Sequence, residues 1–131
     1  MITGLGIDLC EVARIAQAWE RFGERFSRRI LTGAELAQFS ATRRPVRFLA
    51  MRFAVKEAAS KALGTGFRQG VAPRQIGVEH NAAGKPSLVL EGHAREVAAR
   101  LGVAASHVSM TDEGAYAAAV VVMERLPEPA A

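Results

Sequence analysis

Cysteine is almost missing from this chain. The single thiol, Cys10, has no second cysteine to pair with, which excludes a small scaffold stapled by internal disulfides. Aromatic residues are scarce as well, at 6%, too few to interleave with basic residues as a stacking platform for nucleic acid. Long apolar runs are also wanting. The opening Met1-Ile2-Thr3-Gly4-Leu5-Gly6-Ile7 has no basic flank and is stopped by Asp8, so it is expected to be a strand rather than a signal peptide or a membrane span. The expected setting is cytoplasmic, with no membrane and no nucleic-acid partner. Acids are thin in one region: between Arg21 and Arg52 eight arginines face only Glu24 and Glu35. A surface of one sign raises encounter rates with opposite charge, and arginine favours bidentate contacts to carboxylate or phosphate. By charge alone, nucleic acid, an acidic protein and a phosphate-rich small molecule all suit that excess, as does an ordinary solvated helix face.

What is present is ordinary for a globular protein. Of 131 residues, half are hydrophobic and 23% charged, enough for one buried core and against disorder. No repeat or linker divides the chain, so one domain is expected over 1–126, followed by a frayed tail at 127–131. Apolar spacing of three and four predicts a helix over about 11–22, with Val12, Ile15, Trp19 and Phe22 on one side. Short helical pieces follow, the second opened by Thr32 with Glu35 three residues on, a capping-box spacing. Pro45 suits a first helical turn and starts a long central helix that runs to Leu63. Alternation then predicts a hairpin from Gln75 to Leu90, a helix over 91–101, and two last strands about a turn at Asp112-Glu113-Gly114. Helices early and antiparallel strands late make the expected class α+β, an antiparallel sheet packed against helices including one long central helix.

The central helix carries the chemistry. Phe48, Met51, Val55, Ala59 and Ala62 form an apolar stripe, and Arg52, Lys56, Glu57 and Lys61 lie on the remaining faces. Gly64 and Gly66 frame Thr65 where left-handed backbone closes a helix. Glu57 and Lys61 have the spacing of a helix-stabilising pair, which is the plain alternative to a site. A second carboxylate changes that reading. Asp8, near the end of an apolar strand, is either a cap for the next helix or a functional group.

Taken together, the start Gly6-Ile7-Asp8-Leu9-Cys10-Glu11-Val12-Ala13-Arg14-Ile15, the centre Arg52 to Gly66, the turn Gly84-Lys85-Pro86 and the late His107-Val108-Ser109 resemble the holo-[acyl-carrier-protein] synthase family. The similarity runs in order from about residue 2 to residue 124. The resemblance implies the 4′-phosphopantetheinyl transferase fold and reaction: the phosphopantetheine arm of coenzyme A moves to a serine of apo-acyl carrier protein, with Mg²⁺, in fatty acid biosynthesis, releasing adenosine 3′,5′-bisphosphate. It implies Asp8 and Glu57 as the metal-holding carboxylates and Lys61 as a cation for charge that develops in the transition state; these three are the catalytic candidates. Hard oxygen donors on Mg²⁺ and fixed positive charge are what phosphoryl transfer requires. Arg52, Lys61, Gly64, Thr65, Gly66, Lys85, Pro86 and His107 are the implied contacts of coenzyme A, with Arg43 and Arg44 also placed for its 3′-phosphate. An acidic carrier would dock on Arg14, Arg21, Phe22, Arg25 and Phe26, and the family's trimers suit the alanine-rich last strand.

One departure stands out: where many members continue Ser-x-Thr with histidine, Ser109-Met110-Thr111 is followed by Asp112. His107 either substitutes in a phosphate contact or is a hydrogen-bonded structural residue. The acceptor of the serine proton stays open among a water on the metal, a substrate group and a protein carboxylate. A nucleic-acid-binding domain would leave Asp8 and Glu57 without a role, and a Mg²⁺-dependent nucleotide hydrolase would need no docking face.

Overall fold

The computed structural model describes residues 1–127, 129 and 130. Positions 128 and 131 of the expected frayed tail lie outside the described residues; Pro127, Pro129 and Ala130 are exposed and carry neither helix nor strand. Period-two alternation builds the first layer. In β1 (Ile2–Glu11) Gly6 and Cys10 are buried while Leu5, Ile7 and Leu9 are 65–68% exposed. β1 pairs antiparallel with β5 (Tyr116–Glu124), and β5 pairs with β4 (Ala105–Glu113), so the first and last strands are neighbours. Ala117, Ala119, Val121 and Met123 of β5 are buried on the face that Gly6 and Cys10 share.

α4 (Pro45–Leu63) lies across that face against β1 and β5. Twelve of its nineteen residues are buried, so the expected single stripe widens into a helix enclosed on nearly every side. Leu49, Ala50, Ala54 and Ala58 join Met51, Val55, Ala59 and Ala62 in the core, with Phe48 partly buried. The helix stops as expected. Gly64 takes a left-handed φ of 81°, its N–H bonds the Lys61 carbonyl, and the Gly66 N–H bonds that of Ser60.

Around α4 sit α1 (Val12–Phe22), α2 (Glu24–Ile30) and α3 (Gly33–Ala41), whose capping box at Thr32 and Glu35 forms as expected. Trp19 of α1 meets Phe39 of α3 edge to face at 5.2 Å, and Phe39 meets Phe48 of α4 at 5.7 Å. These rings tie the three helices together. β2 (Ile76–His80) and β3 (Pro86–Leu90) form a separate antiparallel pair, followed by α5 (Gly92–Arg100). Among the described residues no helix is long and apolar enough to cross a membrane.

Three local expectations are corrected. β1 continues to Glu11, so Asp8 is inside the strand ladder opposite Ala119 and caps nothing. The last turn falls at Gly114 and Ala115, because Asp112 and Glu113 pair with Ala117 and Tyr116. Gln75 belongs to a short 3-10 turn, Pro73–Gln75, rather than to the strand.

Candidate active site

Close backbone packing sets the site. A methyl group added at Gly6 would overlap the carbonyl oxygen of Ala58, and one at Gly4 that of Ala62. Only glycine lets β1 press this tightly on α4. Gly4, Gly6 and Asp8 share the strand's inward face, so the same approach brings Asp8 beside Glu57, where both line one cleft of about 370 Å³. Burial pushes the Glu57 carboxyl above the usual glutamate range, the Asp8 charge pushes it further, and Lys61 pulls it back. Two like charges that line one cleft repel.

Lys61 reaches across to the strand rather than forming the i,i+4 pair that was the plain alternative. Its ammonium donates to the Ile7 carbonyl at 2.9 Å and lies 3.5 Å from Asp8 Oδ1, bridging α4 to β1, with its side chain half exposed. Asp8, 15% exposed, therefore has one cation in reach and an anion beside it. Two adjacent carboxylates form a hard oxygen donor pair that suits Mg²⁺, which takes one or two protein carboxylates and fills its remaining positions with water and phosphate oxygens. No cluster of three or more His, Cys, Asp and Glu suited to a metal occurs among the described residues. Cys10 lines the same cleft, but burial lifts its thiol to about 11, so it behaves as a small apolar residue.

The cleft opens onto the basic helices. Arg14, Ala18 and Phe26 form its other wall, and Ala18 and Phe26 also line a neighbouring hollow of about 500 Å³ with Phe22, Arg25 and Arg29. Phe22 is 45% exposed, with the Arg21 guanidinium 5.1 Å from its ring centre. All five residues expected on the docking face thus lie on α1 and α2, and four of them line the two joined depressions. Arg29 lines the same hollow and was not singled out by the sequence.

A second basic pocket, about 500 Å³, lies at the other side of α4, between its N-terminal half and the turn after β2. Arg43, Arg44, Arg47 and Arg52 line it with Phe48, His80, Gly84 and Pro86. Asp112 grips Arg47 through two hydrogen bonds of 2.8 and 3.0 Å, which holds its carboxyl below the usual aspartate range. His80 stands on the pocket wall, where burial and Arg52 hold its pKa down. Arg52 is almost buried, stacked over Phe48 at 4.4 Å, with Nε 3.2 Å from Glu35 Oε2.

The remaining expected contacts scatter. Pro86 lines the arginine pocket while Lys85 stands exposed next to it. Gly64, Thr65 and Gly66 lie about two turns beyond Glu57, with the Thr65 hydroxyl bonded to the Gly66 carbonyl at 2.7 Å. His107 sits on the outward face of β4, its Nε2 2.7 Å from Glu124 Oε2; within one chain it joins neither cleft.

Glu35 and the pair Gly4 and Gly6 are what the sequence reading passed over. A period-two run of glycines on the face that ends in Asp8 was the available sign for the latter. No local sign marked Glu35 beyond its cap.

The profile of the 4′-phosphopantetheinyl transferase superfamily matches residues 4–121. Holo-[acyl-carrier-protein] synthase of Vibrio cholerae is 53% identical over 125 residues, 95% of this chain and 99% of the relative. The crystal structure of the Neisseria meningitidis holo-[acyl-carrier-protein] synthase superposes with a TM-score of 0.90 at 41% identity, covering 95% of this chain and 100% of that one. The Bacillus anthracis synthase, solved in complex with coenzyme A (3′,5′-ADP), gives a TM-score of 0.79 at 35% identity over 96% of this chain and 99% of that one.

Proposed function

The chain belongs to the holo-[acyl-carrier-protein] synthase family of the 4′-phosphopantetheinyl transferase superfamily, and from that membership we propose how its clefts divide the transfer of 4′-phosphopantetheine from coenzyme A to acyl carrier protein. The observation that carries the proposal is the cleft that joins Asp8 and Glu57 to Arg14 and Phe26: the reacting phosphate and the carrier serine meet there. Asp8 and Glu57 would hold Mg²⁺, and the metal would neutralise charge on the pyrophosphate. Lys61, tethered to the Ile7 carbonyl, supplies a further fixed positive charge against the phosphoryl oxygens. The carrier's serine oxygen bonds to the phosphorus that bears the pantetheine arm and releases its hydroxyl proton to water or a carboxylate of the cleft, while the bond from that phosphorus to the bridging oxygen breaks with its electron pair staying on that oxygen, and adenosine 3′,5′-bisphosphate departs.

The arginine pocket takes the nucleotide end. Arg43, Arg44 and Arg52 face its 3′-phosphate, Pro86 and Lys85 border the base, and Gly64, Thr65 and Gly66 offer bare backbone to the coenzyme at the far end of α4. His107 reaches a coenzyme only across a subunit boundary, which fits a homotrimer built on the outward sheet face of Leu5, Ile7 and Leu9. An acidic carrier docks along Arg14, Arg21, Phe22, Arg25 and Phe26. Residues 1–126 act as one domain, in the cytoplasm.

Intact-mass analysis of an apo carrier protein after incubation with coenzyme A, Mg²⁺ and the enzyme tests the reading. The carrier is expected to gain one phosphopantetheine arm in a metal-dependent manner. A carrier mass unchanged across several carriers and metals overturns it, and coenzyme A cleaved without a carrier points to a hydrolase instead.

A further inference from the structure

The largest fully buried side chain is a lysine, and the reaction does not use it. Lys56, 0% exposed, donates to Glu35 Oε1 at 2.6 Å, to the Pro73 carbonyl at 3.2 Å and to the Ile76 carbonyl. All three of its protons are taken. Glu35, itself 1% exposed, also accepts from the backbone N–H groups of Thr32 at 3.1 Å and Val78 at 3.3 Å. A buried carboxylate with this many donors is held in one geometry, and while burial pulls the Lys56 pKa down, the charge and hydrogen bond of Glu35 push it back toward the ammonium form.

Glu35 has a second cation. Arg52 Nε lies 3.2 Å from Oε2 but off the line of its own N–H, leaving that buried nitrogen without an aligned acceptor. Its outer nitrogens reach Gln38 Oε1 only at 3.4 Å and Met110 Sδ at 4.0 Å. One carboxylate between two cations leaves a single net positive charge. Lys56 is sealed inside, so that charge is delivered through the loosely held Arg52, which lines the arginine pocket.

We propose that Glu35 is a positioning residue for nucleotide recognition: it neutralises Lys56 in the core and aims Arg52 into the pocket, so that the pocket selects a nucleotide carrying a 3′-phosphate. The inference rests on the reading above that this pocket takes the nucleotide end of coenzyme A.

Calorimetric binding of adenosine 3′,5′-bisphosphate and of 5′-AMP separates the two ideas without any turnover. Glu35→Gln combined with Lys56→Met removes both buried charges together, and Glu35→Asp keeps the charge but draws the carboxylate back by one methylene. Each is expected to lower the preference for the bisphosphate by about 10-fold, the scale of one charge-assisted hydrogen bond, with 5′-AMP affinity changed less than about twofold. Arg52→Met should lose the same preference, and adding it to the paired variant should cost nothing more. If Arg52→Met loses the preference while both Glu35 variants keep it, positioning is wrong and the pocket reading stands. If wild type shows no preference for the bisphosphate, or Arg52→Met leaves it intact, the pocket reading fails and takes the proposal with it. If neither Glu35 variant unfolds cooperatively, Glu35 serves the fold alone and the proposal falls.

Discussion

Glu57 is a carboxyl held out of its ordinary range by burial and by Asp8, and that has opposite consequences for stability and for chemistry. Because its folded value lies above its unfolded one, the folded state retains a proton that the unfolded chain gives up. Stability from this group is present below the ordinary glutamate range and is lost as pH rises through the raised folded value. Glu57→Gln should therefore leave the metal-free protein at least as stable as wild type at neutral pH, with the difference closing in acid, as thermal unfolding across pH would record. The same change should lower phosphopantetheine transfer by more than about 100-fold, since even residues that only orient a metal's ligands cost about 10–100-fold when changed. Near-normal turnover of the variant would remove the metal role from Glu57. Arg52 and Lys56 teach a different lesson at this scale. Their spacing on a helical wheel reads as a charged outer face, because such side chains are rarely buried unless paired. Their partner lies more than a dozen residues away on another helix, and nothing local announces it. Glu35 was legible as half of a capping box, an i,i+3 relation, and illegible as the anchor of two cations.

Among elements, the β1–α4 contact decides most. Gly6→Ala puts a methyl group against the Ala58 carbonyl, and neither backbone can yield without moving the strand or the helix. Loss of about 1–3 kcal/mol is expected from such overpacking, read by chemical denaturation, together with loss of transfer because Asp8 moves away from Glu57. Gly33→Ala is the control: it stands in the first turn of α3 with nothing within 4 Å of the added carbon, and should be neutral or slightly stabilising. Equal effects at the two positions would argue against the close approach as the organiser of the site. The basic helix α1 makes a separate prediction. Arg14→Glu should raise the Michaelis constant for the carrier severalfold while leaving that for coenzyme A nearly unchanged, and added salt should mimic it, because exposed charge attraction is screened. Equal rises for both substrates would remove Arg14 from the docking face. Helix boundaries, caps and the glycine stop of α4 were readable in advance since each depends on neighbours in sequence. The width of its buried surface was not, because that depends on how many layers close around it.

For the whole molecule, the sheet leaves one face bare. Leu5, Ile7 and Leu9 are each about two-thirds exposed, an apolar surface that soluble chains rarely leave uncovered. Of the alanines in the last strand, Ala117 and Ala119 face α4 and serve the packing within one chain, while Ala118 belongs to the outward side. The trimer reading predicts that Ile7→Glu lowers the mass in solution from that of three chains to that of one and lowers transfer with it, as light scattering and the carrier assay would measure. A monomeric wild type, or a charged variant that still assembles through this face, would discard the interface. The order of elements and the α+β class were legible in the sequence alone, since local periodicity and turn chemistry reside in consecutive residues, whereas Asp8, Glu57 and the basic helices gained their expected roles only from the family resemblance. Only the tertiary structure decided that Lys61 turns from Glu57 to β1, that Arg52 and Lys56 share a buried glutamate, and that glycines at 4 and 6 bring Asp8 to its partner. Each of these depends on backbone segments far apart in the chain coming within contact, which no local pattern encodes.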